Sequence, residues 1–141
     1  LALRGTKTLH LRMRQHDATG RKVAEWLTTR SDVPKLYYPG LPSHPQHALA
    51  ARQMSGFGGM LSFDVGNVPR AKQVIERFKI FALAESLGGV ESLVGHPASM
   101  THASVPVPMR QAMGLTDSLI RLSCGVEEAD DLIGDLEQAL G

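Results

Sequence analysis

The sequence predicts an α/β domain built as a two-layer sandwich, one sheet with helices packed on it. Three observations carry that expectation. Met60 to Val65 and Leu119 to Cys124 alternate in the two-residue period of a strand, segments 6–29 and 127–140 repeat apolar residues at helical spacing, and the two periods interleave along the chain. At 141 residues, with 43% hydrophobic and 21% charged residues, there is material for one domain with a real core.

Taken in order, the first element is a long amphipathic helix from Thr6 to about Thr29, whose stripe Leu9, Met13, His16, Gly20, Val23 and Leu27 is spaced four and three apart. Gly20 is its weak point. Lys35 to Tyr38 reads as a short strand closed by the turn signal Pro39-Gly40. Ser43 is placed to cap a helix running to about Gln53, with Pro45 in its first turn. Met60 to Val65 is a half-buried strand with Leu61, Phe63 and Val65 on one face. Pro69 to Phe78 is a helix, and Ile80 to Ala84 a short apolar strand running into Glu85-Ser86. Pro106 to Met113 is a short helix stopped by Gly114. Leu119 to Cys124 is a strand, and Glu127 to Leu140 a final helix whose acids Glu127, Glu128, Asp130 and Asp131 would complement the dipole of its first turn.

The net charge of +1 hides an asymmetry. Residues 1–30 hold seven Arg or Lys against two acids, and residues 117–141 hold seven acids against Arg121. Because the basic residues flank an apolar stripe and no aromatics interleave with them, the expectation is a solvated helix back and no nucleic-acid partner. No segment approaches the roughly 20 apolar residues of a membrane span. Leu1 to Arg14 has no signal-peptide pattern, and a chain starting at Leu1 is expected to be a piece of a longer product. The single cysteine, Cys124, fits a reducing cytoplasm and falls on the apolar face of its strand, where a thiol is inert packing. His44 and His47, and His96 and His102, form two pairs without supporting ligands, so no metal is expected.

Two places carry candidate chemistry. Arg121 sits at mid-strand on the face shared with Leu119 and Ser123, and a buried charge there must be paired. Its planar fork suits a carboxylate. From residue type alone that partner could be one of the C-terminal acids or a ligand, or the face could be open to solvent. Ser86-Leu87-Gly88-Gly89 follows a strand, and two glycines there allow a sharp turn or the close approach of a ligand.

Glu-Ser-Leu-Gly-Gly at 85–89, His-Pro-Ala-Ser-Met-Thr-His-Ala-Ser at 96–104 and Leu-Ile-Arg-Leu-Ser at 119–123 resemble the C-terminal domain of the cystathionine gamma-synthase and gamma-lyase family, pyridoxal-phosphate enzymes of transsulfuration. The resemblance extends through Arg4 to Leu9 and Tyr38 to Pro45, and so covers nearly the whole chain. It implies the C-terminal small domain of a fold-type I enzyme, with a largely antiparallel sheet. Residues 1–30 would be a helix linking to a larger domain, and residues 31–141 the substrate-side domain.

By the same resemblance Arg121 binds the substrate α-carboxylate, Ser86 lies beside it, Glu85 faces the distal end of the substrate, and Thr101 lines the pocket. Glu85 favours the cystathionine-handling branch, since methionine gamma-lyases and acylhomoserine sulfhydrylases tend to lack that acid. Pyridoxal phosphate, the electron sink for chemistry at Cγ, would be held mainly by the larger domain, upstream of this chain, where the Schiff-base lysine lies. The 141-residue chain alone is therefore expected to be inactive. The whole enzyme would be a homo-oligomer, a tetramer by resemblance. The Pro106-Val107-Pro108-Met109 stretch departs from the family pattern. A non-enzymatic α/β ligand-binding or interaction domain is the competing class, because it would share the fold and even a carboxylate site.

Overall fold

The computed structural model describes residues 1–141. The elements run α1 (Ala2–Thr6), α2 (Leu9–Leu27), β1 (Lys35–Tyr37), α3 (His47–Gln53), β2 (Met60–Asp64), α4 (Val68–Arg77), β3 (Ala82–Leu83), β4 (Leu93–Gly95), α5 (Val107–Ala112), β5 (Leu119–Ser123) and α6 (Ala129–Leu140). The strands form one sheet in the order β1-β2-β5-β4-β3. Every pairing is antiparallel except β3 with β4. The two-layer sandwich with a largely antiparallel sheet is therefore what the chain builds. No helix is long and apolar enough to cross a membrane.

Alternation in β2 and β5 does what a two-residue period requires. Leu61 and Phe63 of β2 and Ile120 and Leu122 of β5 are buried on one face, joined there by Val94 of β4. Against that face pack Val23, Ala24 and Leu27 of α2, Ala71 and Val74 of α4, and Leu132, Leu136 and Ala139 of α6. Each buried aliphatic side chain contributes about 1.5–3 kcal/mol, which makes this layer the source of the fold's stability. The other face carries Ser62, Arg121 and Gly95 in one row, since β2 and β4 both pair with β5 at Arg121.

Several elements depart from the sequence expectation for identifiable reasons. The N-terminal helix is broken at Lys7-Thr8, where Thr8 leaves helical geometry (φ −110°, ψ 5°). The Thr6 hydroxyl donates to Leu3 O (2.9 Å) and Arg12 Nη2 to Gly5 O (2.7 Å), drawing carbonyls away from the helical ladder. Leu9 and Met13 of the stripe remain exposed, and burial begins at His16, where the helix first lies over the sheet. Gly20 is a contact rather than a weakness. A Cβ there would lie 2.6 Å from Gly58 O and 2.8 Å from Gly59 Cα, so only glycine lets the helix come this close.

Ser43 caps nothing. Helix α3 starts at His47 with Gln46 in the cap position, and the imidazole of His44 accepts from Gln46 N (3.2 Å). Asn67, by contrast, caps α4 by accepting from Arg70 N (2.9 Å). The Ile80 to Ala84 strand shrinks to Ala82–Leu83, and β4 appears where three residues among glycines were too few to show alternation. Helix α6 begins at Ala129, so Glu127 lies ahead of it. Its carboxylate instead accepts from Ser92 N and Ser92 Oγ, both at 2.7 Å, and so fastens β4 to the end of β5.

Asp135 is the acid on α6 with the largest structural task. It is 4% exposed and accepts from Lys79 N (2.9 Å), Ile80 N (2.8 Å) and Phe81 N (3.1 Å), which sets the turn from α4 into β3. Asp135→Ala leaves three donors without their acceptor. Hydrogen bonds to a charged group contribute about 1.5–3 kcal/mol each, so a loss of about 4 kcal/mol or more in urea unfolding is expected, with Asp135→Asn losing less. A change below about 0.5 kcal/mol would show that the turn holds without the carboxylate.

Cys124, at the end of β5, is 1% exposed within the core, and burial pushes its thiol up to about 12. At pH 8 the native protein should therefore react negligibly with a disulfide reagent and stoichiometrically once unfolded in guanidinium chloride. Fast labelling of the folded protein would mean that the core opens at β5.

Candidate functional site

The site is built on the central strand. β5 presents Arg121 and Ser123 on the face away from the helices, two residues apart, as alternation demands. Both reach the segment after β3. Arg121 Nη2 donates to Glu85 O and Ser86 O, each at 3.1 Å, and Ser123 Oγ accepts from Gly88 N at 2.8 Å. Gly88 has φ +74°, a conformation glycine adopts without strain, so the Gly-Gly pair is a turn pegged from below by two side chains of β5.

Arg121 has no charged partner. The ion pairs of the chain join Arg21 to Asp17, Lys22 to Asp130, Arg30 and Arg70 to Asp32, and Arg110 to Asp117. An internal salt bridge from Arg121 to a C-terminal acid is thereby overturned. Those acids are used elsewhere, Asp135 and Glu127 on backbone N–H groups and Asp130 on Lys22. Arg121 Nε is buried with no acceptor at all. Two backbone carbonyls orient the guanidinium without neutralising it, which leaves a positive charge beside a crevice.

Arg121, Glu85, Gly95, His96, Met100 and Thr101 border a narrow crevice that is closed even to a water molecule in this conformation. Arg121, Glu85 and Thr101 thus border the same crevice. Ser86 is adjacent and exposed, and touches Arg121 through its carbonyl rather than its hydroxyl. The Glu85 side chain is exposed, and Thr101 Oγ1 hydrogen-bonds His102 Nδ1 at 2.8 Å. A wider apolar cleft of about 450 Å3 begins at Gly88 and Ser123 and runs past Phe57, Met54 and Met13.

Three contributors escaped the sequence reading. Ser123 could have been found, because it shares the strand face of Arg121. Gly95 could not: a Cβ there would lie 3.1 Å from Arg121 Nη2 and 3.3 Å from Ala84 O, a crowding set only by strand pairing. His96, 8% exposed, forms one wall of the cleft, and nothing in its sequence neighbourhood distinguishes it from His102. Of the other histidines, buried His16 ties α2 to the end of β5 through Nδ1 and Cys124 O (2.7 Å), and His47 Nδ1 meets Pro39 O at 2.7 Å while its ring stacks on Phe57 at 5.5 Å.

The segment closing the far side of this face rests on Asp64. Burial opposes the charge on its carboxyl, but hydrogen bonds from Thr116 Oγ1, Gly66 N and Ser118 Oγ outweigh that and hold it below the usual carboxylate range. No lysine lines the Arg121 cleft, so its residues do not fit the covalent attachment of the pyridoxal phosphate that the resemblance implies. The Arg121 guanidinium at its edge is the group there suited by charge to an anion, and the crevice would have to open to admit one.

Comparison with known proteins gives a consistent result. A cystathionine beta-lyase of Coxiella burnetii is 53% identical over 141 residues, 99% of this chain and 36% of its own length. A cystathionine gamma-lyase of Dictyostelium discoideum is 52% identical with the same shares. The crystal structure of cystathionine gamma synthase from Xanthomonas oryzae pv. oryzae in complex with cystathionine superposes with a TM-score of 0.94 at 48% identity, covering 98% of this chain and 36% of that one. The chain spans about a third of the length of these relatives. The sequence model of the Cys/Met metabolism PLP-dependent (pyridoxal-phosphate-dependent) enzymes matches residues 1–141, and with half of all residues shared with its lyases the chain belongs to that family.

Proposed function

We propose that this chain is the substrate-side part of a pyridoxal-phosphate enzyme of transsulfuration, a cystathionine gamma-synthase or gamma-lyase, and that it holds the α-carboxylate of the amino acid for replacement or elimination at Cγ. The observation that carries the reading is the guanidinium of Arg121, oriented by Glu85 O and Ser86 O, with Nε buried and no acid of the chain upon it. A carboxylate entering the cleft supplies the missing acceptor and the missing charge together. Held there, the substrate loses rotational freedom before reaction, and this domain's contribution is positioning. Residues 1–30 link it to a larger domain that carries the cofactor and its lysine, and the whole enzyme assembles as a homo-oligomer.

Glu85 gives the site its selectivity in this reading. Glu85 borders the cleft with its side chain exposed, and its carboxylate can meet the ammonium of the second amino-acid head of cystathionine. To the apolar tail of methionine it offers nothing. Ser86 lies between the two, its backbone on Arg121 and its hydroxyl exposed, and Thr101 forms the opposite wall.

In the complete enzyme, Arg121→Ala removes a charge-assisted pair worth on the order of 2–5 kcal/mol, hence roughly thirtyfold or more in kcat/KM. Arg121→Lys should recover only part, because an ammonium cannot reproduce the fork. Normal substrate affinity in the folded fraction of Arg121→Ala would remove Arg121 from the site.

Glu85→Val should lower kcat/KM for cystathionine and raise it for methionine-like substrates, moving their ratio by roughly one to three powers of ten with cofactor loading unchanged. An unchanged ratio would place Glu85 beyond the reach of the substrate.

A further inference from the structure

His96 is a buried titratable side chain at the Arg121 cleft, and the reading above gives it no role. It follows β4 directly and opens the turn that carries Met100 and Thr101. Its ring is held at both nitrogens. Nε2 lies 2.8 Å from Asp117 O, and since a carbonyl can only accept, Nε2 bears the proton and donates. In the neutral ring Nδ1 is then an acceptor, and it takes the Ser99 hydroxyl proton at 2.6 Å. The backbone of the same residue completes the clamp. His96 O accepts from Ser99 N (3.2 Å) and Met100 N (3.1 Å), and His96 N donates to Met100 Sδ (3.2 Å).

The far end of the clamp is firm. Asp117 lies between Thr116 and Ser118, whose hydroxyls both donate to the buried carboxylate of Asp64, and its own carboxylate takes a hydrogen bond from Arg110 Nη2 at 2.9 Å. Ser118 O accepts from Val65 N (3.3 Å), which joins this segment to the end of β2. Strand β5 and Arg121 begin immediately after it. One imidazole therefore ties the turn bearing Met100 and Thr101 to the segment that launches the arginine strand.

We propose that His96 is a positioning residue for substrate recognition. By bridging Ser99 Oγ and Asp117 O, it holds the Met100-Thr101 turn in place beside Arg121, so that the crevice opens no further than an amino-acid carboxylate requires. The inference rests on the carboxylate-binding reading of Arg121 and adds to it what sets the width of the cleft. Both ring nitrogens are engaged within the protein, so the role is geometric, and neither a metal nor proton transfer is involved.

The test uses the full-length, cofactor-loaded enzyme with four variants. His96→Phe keeps the ring volume and removes both bonds, His96→Gln keeps an amide able to donate to Asp117 O, Ser99→Ala removes one bond at an exposed residue, and Arg121→Lys serves as the reference. KM and kcat for cystathionine are read beside the dissociation constant of L-alanine, which has the carboxylate but no leaving group at Cγ. A displacement of the wall by about 1 Å is enough to cost up to about a hundredfold.

His96→Phe is accordingly expected to raise both KM and the alanine constant tenfold or more, with kcat changed less than about threefold. Ser99→Ala should move them in the same direction by less, and His96→Gln should restore most of the loss. If the His96 and Ser99 variants lower thermal stability while KM and the alanine constant stay at wild-type values, His96 is structural only and the proposal is overturned. If His96→Gln behaves like His96→Phe, the bond to Asp117 is not the positioning element. Should Arg121→Lys also leave both constants unmoved, the carboxylate site itself is misplaced, an outcome distinct from failure at His96 alone.

Discussion

A guanidinium fixed on the central strand with no acid beside it is the constraint around which the open face of this molecule is arranged. Arg121 sits between β2 and β4, and the rows Ser62–Arg121–Gly95 and Leu61–Leu122–Val94 lie on opposite faces of the sheet. A slip of one residue in either pairing would exchange the charge with the core. Gly95 is the neighbour that tolerates the arginine, because any side chain there crowds Nη2. Arg121 is half-buried, and a partly desolvated charge without a counter-ion carries a cost that two carbonyls offset only in part. Retaining such an arrangement makes physical sense where a ligand completes it.

Three acids of the chain are spent on backbone and hydroxyl groups, and those that do pair with arginine pair with arginines other than Arg121. Asp135 collects three N–H groups between α4 and β3, Glu127 holds Ser92 ahead of β4, and Asp64 gathers Gly66, Thr116 and Ser118. Each fixes a loop end that borders a sheet strand, and two of those strands frame the cleft. Among the C-terminal acids, Glu127 and Asp135 serve as internal fastening, Asp117 and Asp130 pair with Arg110 and Lys22, and none reaches Arg121. With stiff helices on one face and fastened loops on the other, the cleft inherits its shape from hydrogen bonds many residues apart in sequence. The high structural agreement with a synthase solved with cystathionine accords with a scaffold of this kind.

Local pattern determined a good part of the molecule. The two alternating strands, the helices over α2, α4 and α6, the sandwich they form and the inert place of Cys124 follow from spacing alone, because periodic burial dictates which side chains face inward. Arg121 was marked by being a charge within an apolar strand, and the Gly-Gly turn by its composition. Resemblance of motifs added Glu85, Ser86 and Thr101.

Tertiary structure decided the rest. Strand β4 is three residues long and exists because β5 pairs with it. Gly20 could be read as a defect until Gly58 and Gly59 were seen against it, and Glu127 as a helix-dipole acid until Ser92 was found on its carboxylate. The partner of Arg121 could not be read from sequence, since candidate acids lay nearby and only the fold shows them engaged elsewhere. His96 was one histidine among six until its ring was found between Ser99 and Asp117. Periodicity is a property of neighbours along the chain and is written in the sequence, whereas hydrogen bonds that close loops 21 to 56 residues apart, such as His96 to Asp117 and Ile80 or Lys79 to Asp135, depend on which distant segments the core brings together.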